Sequence, residues 1–189
     1  MLRDYSRQHP NTHLILEEAE EPALLRGLET GQYDAVIGRR SMFSDETCQI
    51  HTLAADELVV VLPAGHPLAC KDHLSIPELA SERLLLMNQY TAVCQICLQC
   101  FADAGVTPRL IRTTRVESLI SAIAAGERIS LLPESNRNVF HCEGLITVSL
   151  TPSVALPVVL AYRKNKKGLT NASLRELVQH IQGIQTQTA

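Results

Sequence analysis

The chain has 189 residues, 46% of them hydrophobic, which suits one sizeable core or two small lobes and excludes a disordered chain. Seventeen Lys plus Arg stand against twenty Asp plus Glu, a net charge of −3, so the chain as a whole lacks the basic footprint of a nucleic-acid binder. The longest purely apolar run, Leu58 to Leu62, stops at Pro63, far short of the roughly 18–20 residues of a membrane helix.

Short runs rich in Val, Ile and Leu alternate with segments of helical period, the pattern of an α/β fold with largely parallel strands. The first expected strand is His13–Glu17. Pro22 then opens a helix through Leu24, Leu25 and Leu28 that closes near Gly31. Strands are expected at Asp34–Gly38 and Glu57–Leu62, and Ser75-Ile76-Pro77-Glu78 is a capping box for a short helix. After the strand Leu84–Met87, residues Ala92 to Ala104 hold no Gly or Pro and predict a continuous helix, followed by a strand at Arg109–Thr113. Thr114-Arg115-Val116-Glu117 is a second capping box. The stripe Val116, Leu119, Ile120, Ile123 and Ala124 behind it ends at Gly126. Strands follow at Ile129–Leu132, Leu145–Leu150 and Val158–Arg163. The chain closes on an amphipathic helix with stripe Leu174, Leu177, Val178, Ile181 and Ile184, with Ser173 to Glu176 as a further capping box.

Two crossings between lobes are expected, one where the strand Glu57–Leu62 runs into Pro63-Ala64-Gly65-His66-Pro67, the other from Leu150-Thr151-Pro152 through Pro157. A chain that leaves one lobe, builds a second and returns makes a double-hinged, two-lobed protein. The expected lobes are residues 1–62 with 156–189, and residues 63–155.

The sequence resembles the effector-binding domain of LysR-type transcriptional regulators over essentially its whole length. The matching segments are Leu2-Arg3-Asp4-Tyr5-Ser6-Arg7-Gln8-His9-Pro10, Leu28 to Gly38, Leu58 to Leu68, Leu119 to Gly126 and Ile129-Ser130-Leu131-Leu132-Pro133, specific through their order and spacing. The resemblance implies two Rossmann-like lobes joined by a double hinge, as in type II periplasmic binding proteins, with a small effector captured in the cleft. It implies a homodimer, a tetramer in the full-length regulator, and DNA contact only through an N-terminal winged helix-turn-helix that these residues do not include. It also implies that the first lobe lacks its first strand, because Leu2 to His9 matches the later part of the helix that follows that strand.

In open α/β sheets ligands gather beyond the carboxyl ends of the strands. Gly38-Arg39-Arg40 follows one such strand, and Arg39 falls where related regulators place an effector-contacting Arg, a fork suited to a carboxylate. The bland alternative is that both arginines are solvated or bridge to Glu20 or Glu21. Gln89, Tyr90 and Thr91 follow the strand Leu84–Met87, with Thr91 placed to cap the next helix, and Thr114 and Arg115 sit at a second helix start. Both segments read equally as ordinary polar turns or caps. Glu20 and Glu21 stand where relatives often carry Ser, Thr or Asn, and Arg128 replaces a usual Gly. A Glu21 facing the ligand would select an amino group, so the expected effector is anionic or zwitterionic.

Cys94, Cys97 and Cys100 share one helix face at 3.6 residues per turn and read as core rather than as a redox or metal centre. The seven histidines form no ligand set, no nucleophile elbow or Gly-rich phosphate loop occurs, and no metal, cofactor or catalytic residue is expected. Met1 to Tyr5 turns charged at once, unlike a signal peptide, which points to the cytoplasm. The rival readings are a solute-binding protein on the same fold, disfavoured by that start and by six cysteines that read as free thiols, and a small two-lobed enzyme, disfavoured by the missing catalytic set.

Overall fold

A computed structural model describes residues 2–87, 91–113, 116–126, 128–136, 144–164 and 171–188. In chain order the first elements are α1 (Leu2–Gln8), α2 (Glu21–Thr30), β1 (Val36–Arg39), β2 (Cys48–Ala54), β3 (Leu58–Pro63) and β4 (His73–Leu74). They are followed by β5 (Arg83–Leu86), α3 (Ala92–Asp103), β6 (Arg109–Arg112), α4 (Val116–Ala124), β7 (Ser130–Pro133), β8 (Leu145–Leu150), β9 (Val158–Arg163) and α5 (Ala172–Thr188). Two compact units result, residues 1–53 with 158–189 and residues 54–157, and the chain passes between them twice. Among the described residues no helix is long and apolar enough to cross a membrane.

The first unit is built on a three-stranded sheet of order β1-β9-β2, in which β9 runs antiparallel to β1 with Val36 opposite Ala161 and Arg39 opposite Val158. Strand β9 is buried on both faces, and its side chains alternate between two cores. Leu160 and Tyr162 pack with Tyr5 of α1 and with Leu174, Leu177, Val178 and Ile181 of α5. Val159 and Ala161 pack with Val36 and with Leu28 of α2, flanked by Leu24 and Leu25. The apolar stripes expected on these two helices are thus the faces that cover the sheet. Helix α2 has Pro22 in its first turn and ends on Gly31 at φ 82°, a left-handed value that glycine reaches without a Cβ clash. Helix α5 is capped by Asn171, whose Oδ1 accepts from the Leu174 amide at 3.2 Å, and not by Ser173, which already lies inside the helix.

The second unit holds a four-stranded sheet of order β4-β8-β3-β7 and the parallel pair β5-β6, linked by a bridge between Leu84 and Ile129. Strand β3 is central, antiparallel to both β7 and β8. Its Leu58, Val60 and Leu62 face a core shared with Leu84, Leu86, Cys94, Cys97 and Phe101. Its Val59 and Val61 face the other core, with Leu119, Ile120 and Ile123 of α4. Ala122 packs against this second core, whereas Ala124, expected in the stripe, is exposed. The Ser75–Glu78 box forms as expected but on a 3-10 turn: the Glu78 carboxylate accepts from Ser75 N at 2.8 Å and Ser75 Oγ at 2.6 Å. With Lys71 also hydrogen-bonded to it, the Glu78 carboxyl is held down at about 2.

Several expectations change. Strands are mixed rather than largely parallel: β1–β9, β3–β7 and β3–β8 run antiparallel, and β4–β8 and β5–β6 run parallel. Residues 13–17 form no strand, and Ile15 and Leu16 lie 79% and 72% exposed. The division falls at 53/54 and 157/158 rather than at 62/63 and 155/156. The reason is β3, expected in the first lobe, whose neighbouring strands on both sides are β7 and β8 of the second unit. The Thr114–Arg115 part of the second capping box lies outside the described residues.

The two segments that enter and leave the second unit are tied to each other. Glu57 bridges Ala155, Leu58 N donates to Val154 O at 2.9 Å, and Leu156 N donates to Asp56 O at 2.7 Å. The buried Asp56 carboxylate accepts from Glu57 N at 3.0 Å, Ser135 N at 3.1 Å and Ser135 Oγ at 2.7 Å, joining the start of β3 to the turn after β7. Asp56→Ala strands these donors, and the expected loss is about 1–3 kcal/mol, read from urea unfolding, with a smaller loss for Asp56→Asn, which keeps one acceptor.

Candidate functional site

Helix α2 and the strand β1 that follows it run in opposite directions, so the amino end of α2 and the carboxyl end of β1 share one edge of the first unit. Half-buried Glu21 lies in the first turn of α2, and partly buried Gly38 and Arg39 end β1. A Cβ on Gly38 would stand 2.7 Å from Met42 Sδ and 3.3 Å from Phe43 Cε2. Without a Cβ at Gly38 the Met42 side chain lies directly against the strand as the 3-10 turn Arg40–Met42 folds back, and the Arg39 amide closes the turn by donating to Met42 Sδ at 3.3 Å. Arg40 is taken up within this turn: its guanidinium donates to Phe43 O at 2.8 Å and to the Asp45 carboxylate. The partner is thus Asp45, five residues on, and neither Glu20 nor Glu21. Arg39 is the arginine that the strand itself delivers to the edge.

In the second unit β5 and β6 are parallel, with Leu86 opposite Arg112, so both carboxyl ends lie together. Thr113 N donates to Leu86 O at 3.0 Å and holds the ends in register. Thr91 caps α3, its Oγ1 accepting from Cys94 N at 3.2 Å. The amino end of a twelve-residue helix, with its partial positive charge, is thereby fixed at this edge. Gln89, Tyr90, Thr114 and Arg115 lie outside the described residues. Sequence reasoning missed Arg112. It is exposed at the last position of β6, and its positive charge acts on the Cys94 thiol in the first turn of α3. No local pattern reveals it, because residues 94 and 112 meet only through the pairing of two strands.

The cysteine stripe is core. Cys94 and Cys97 are 2% and 0% exposed among the apolar side chains of the second unit, and Cys100 packs against the same cluster. Burial pushes all three thiols up, offset at Cys94 in part by Arg112, and most strongly at Cys97, where the neighbouring cysteines add to it. A thiolate is the reactive and metal-binding form, and this environment opposes it.

The LysR substrate binding domain family matches residues 1–183. The chain belongs to this family. The LysR domain described here is 31% identical over 186 residues to the HTH-type transcriptional regulator BenM of Acinetobacter baylyi, covering 94% of this chain and 60% of that protein. It is 30% identical over 162 residues to the HTH-type transcriptional regulator CatR of Pseudomonas putida, covering 84% of this chain and 55% of that protein. The chain thus spans little more than half the length of these relatives. Among solved structures it is similar to the BenM effector binding domain with its effector benzoate, at TM-score 0.83 and 26% identity, covering 99% of this chain and 85% of that one. A BenM effector-binding-domain variant aligns at TM-score 0.85 with 26% identity, covering 99% and 87%. The two-lobed α/β class expected from the sequence is therefore the fold of this LysR domain.

The thiol environments make a direct prediction. In the folded domain a thiol reagent should modify exposed Cys70 at least ~10-fold faster than Cys94 or Cys97, and denaturant should remove the difference. Peptide mass mapping after timed labelling reads this, and rapid native modification of Cys97 would contradict its placement.

Proposed function

We propose that this domain senses a small anionic or zwitterionic effector as part of a cytoplasmic LysR-type transcriptional regulator. The carrying observation is Arg39, placed at the carboxyl end of β1 where the Arg40–Met42 turn folds back against Gly38. A guanidinium in that place offers two parallel donors to a carboxylate. Glu21 on the same edge supplies the complement for an amino group. In the second unit the capped amino end of α3 at Thr91, with Arg112 beside it, offers amide donors and positive charge to an anion. BenM bound to benzoate, a carboxylate, supports the same ligand chemistry in a relative. Gln89, Tyr90, Thr114 and Arg115 complete the proposed contact set by their positions after strands in the sequence.

An effector that binds one arrangement of the domain better than another shifts the population toward it, and that differential affinity is the signal. The reading is of a binding domain and not an enzyme: its relatives are transcriptional regulators. In the whole regulator we assign the signal to a homodimer or tetramer, with DNA contacted by a separate N-terminal domain. The dimer contact is assigned to α1, residues 14–17 and α2, and to about 1,200–2,000 Å² in total.

Thermal-shift screening of small carboxylates and amino acids tests the site, since a ligand at a hundred times its Kd adds about 2.7 kcal/mol to the folded state. Arg39→Ala and Thr91→Ala should each weaken a confirmed ligand by about tenfold or more, the cost of one charge-assisted contact. Glu21→Gln should weaken amino acids and spare simple carboxylates. Unchanged affinity in both Arg39→Ala and Thr91→Ala would place the site elsewhere.

A further inference from the structure

The second unit ends on an edge strand. Strand β5 is bonded on both sides, to β6 by strand pairing and toward β7 through the Leu84–Ile129 bridge, where Leu85 N donates to Ile129 O at 2.9 Å. Strand β6 pairs with β5 alone among the described strands. Side chains alternate between the two faces of this pair. Leu84, Leu86 and Leu110 face the core that holds α3, and Leu85 faces the core that holds α4, so Arg83, Arg109 and Ile111 share the α4 face. Helix α4 buries Leu85 but leaves Ile111, opposite it in register, 46% exposed.

Two arginines stand beside that isoleucine. Arg83 and Arg109 are directly opposite each other in register, and both are exposed. Like charges facing across strands about 4.8 Å apart repel and cost stability. Among the described residues neither guanidinium has an ion pair to offset this. The adjoining Glu82 faces His66 at 3.4 Å, and Asp103, at the end of α3, takes the Gln99 amide at 2.7 Å. Charged side chains on an edge strand can simply keep it from pairing. That role does not account for Arg83, whose strand is already bonded on both sides, nor for a half-exposed isoleucine within a four-residue edge.

We propose that β6 is a docking edge for an extended acidic segment of a partner protein, which adds to the sheet as a further strand. The strand edge and exposed Ile111 suit a peptide better than a nucleic acid, and the unpaired arginines set its charge. A strand laid beside β6 turns every second side chain to the α4 face. One of them meets Arg109 and the next meets Ile111, so the recognised pattern is a carboxylate and an apolar side chain two residues apart. Arg83, one strand further in, adds its charge from about 10 Å away. Arg83 and Arg109 open their strands, whereas the effector reading uses the carboxyl ends, so the two readings stand independently.

The probe is the synthetic peptide acetyl-Ser-Thr-Glu-Thr-Val-Thr-Glu-Ser-amide, whose Glu-x-Val-x-Glu pattern lies on one face and reads alike in either direction. Thr113 N donates to Leu86 O, so the amides of residues 109 and 111 also turn toward β5 and that of Leu110 turns outward. Saturating peptide should shift the NMR amide signals of residues 109–112 and slow exchange at Leu110 at least ~10-fold. Arg109→Glu should weaken binding at least ~10-fold and Arg83→Glu by less, whereas the same charge change at Arg175→Glu on α5 should leave it unchanged. Because Arg109→Glu also relieves the repulsion with Arg83, its urea midpoint should hold or rise, which separates lost binding from unfolding. Lys in place of both peptide glutamates, or Val moved by one position to the other face, should abolish binding. Absence of binding at millimolar peptide, or binding that survives Arg109→Glu, overturns the proposal. Equal binding of a short oligothymidylate at the same residues would make the patch a general polyanion surface and overturn it as well.

Discussion

Burial of a central strand on both faces is the constraint on which each unit depends. Every residue of β3 from Leu58 to Leu62 is at most 3% exposed, and the strand is hydrogen-bonded along both edges. A strand in that position has no polar face to spend on solvent, so helices must cover it on both sides, and α3 with its cysteines and α4 with its Leu and Ile stripe do so. Strand β9 imposes the same requirement on the first unit, met by α5 with α1 on one face and α2 on the other.

That layering decides where chemistry can reside. With both faces of the central strands β3 and β9 covered, polar side chains and unsatisfied helix amides collect at the ends of strands. Gly38 and Arg39 end β1, Arg112 ends β6, and Thr91 caps the helix that follows β5. The same layering explains where three cysteines at helical spacing go: the face they share is the one that the core requires, and burial disfavours their thiolates.

The segments at 54–57 and 154–157 show how a chain can enter and leave a compact unit without leaving backbone groups unmet. They pair with each other, and the Asp56 carboxylate takes up Ser135, which is 79 residues away in sequence. A buried carboxylate is costly unless its oxygens are occupied, and here three donors occupy them. The open edge of β1 is the contrast, since there the backbone and Ile37 meet solvent.

Much of this was legible in the sequence because it is local. Pro22 and Gly31 bound α2, Ser75 and Glu78 make their box, Thr91 caps α3, and the stripes on α2, α4 and α5 follow from helical period. The order of short matching segments was enough to place the chain in the LysR family. What the sequence could not decide depends on which strand pairs with which. Cys48–Ala54 lacks a clean alternation and becomes β2, whereas His13–Glu17 looks like a strand yet forms none in the sheet described. The apolar run of β3 reads the same in either lobe until its partners, β7 and β8, are known. Asp56 with Ser135, Arg40 with Asp45, and Arg112 with Cys94 are likewise choices of partner. Propensity, caps and periodicity are properties of neighbouring residues, and the sequence fixes them by itself; hydrogen-bond pairing between distant segments is settled only when the whole core closes around them.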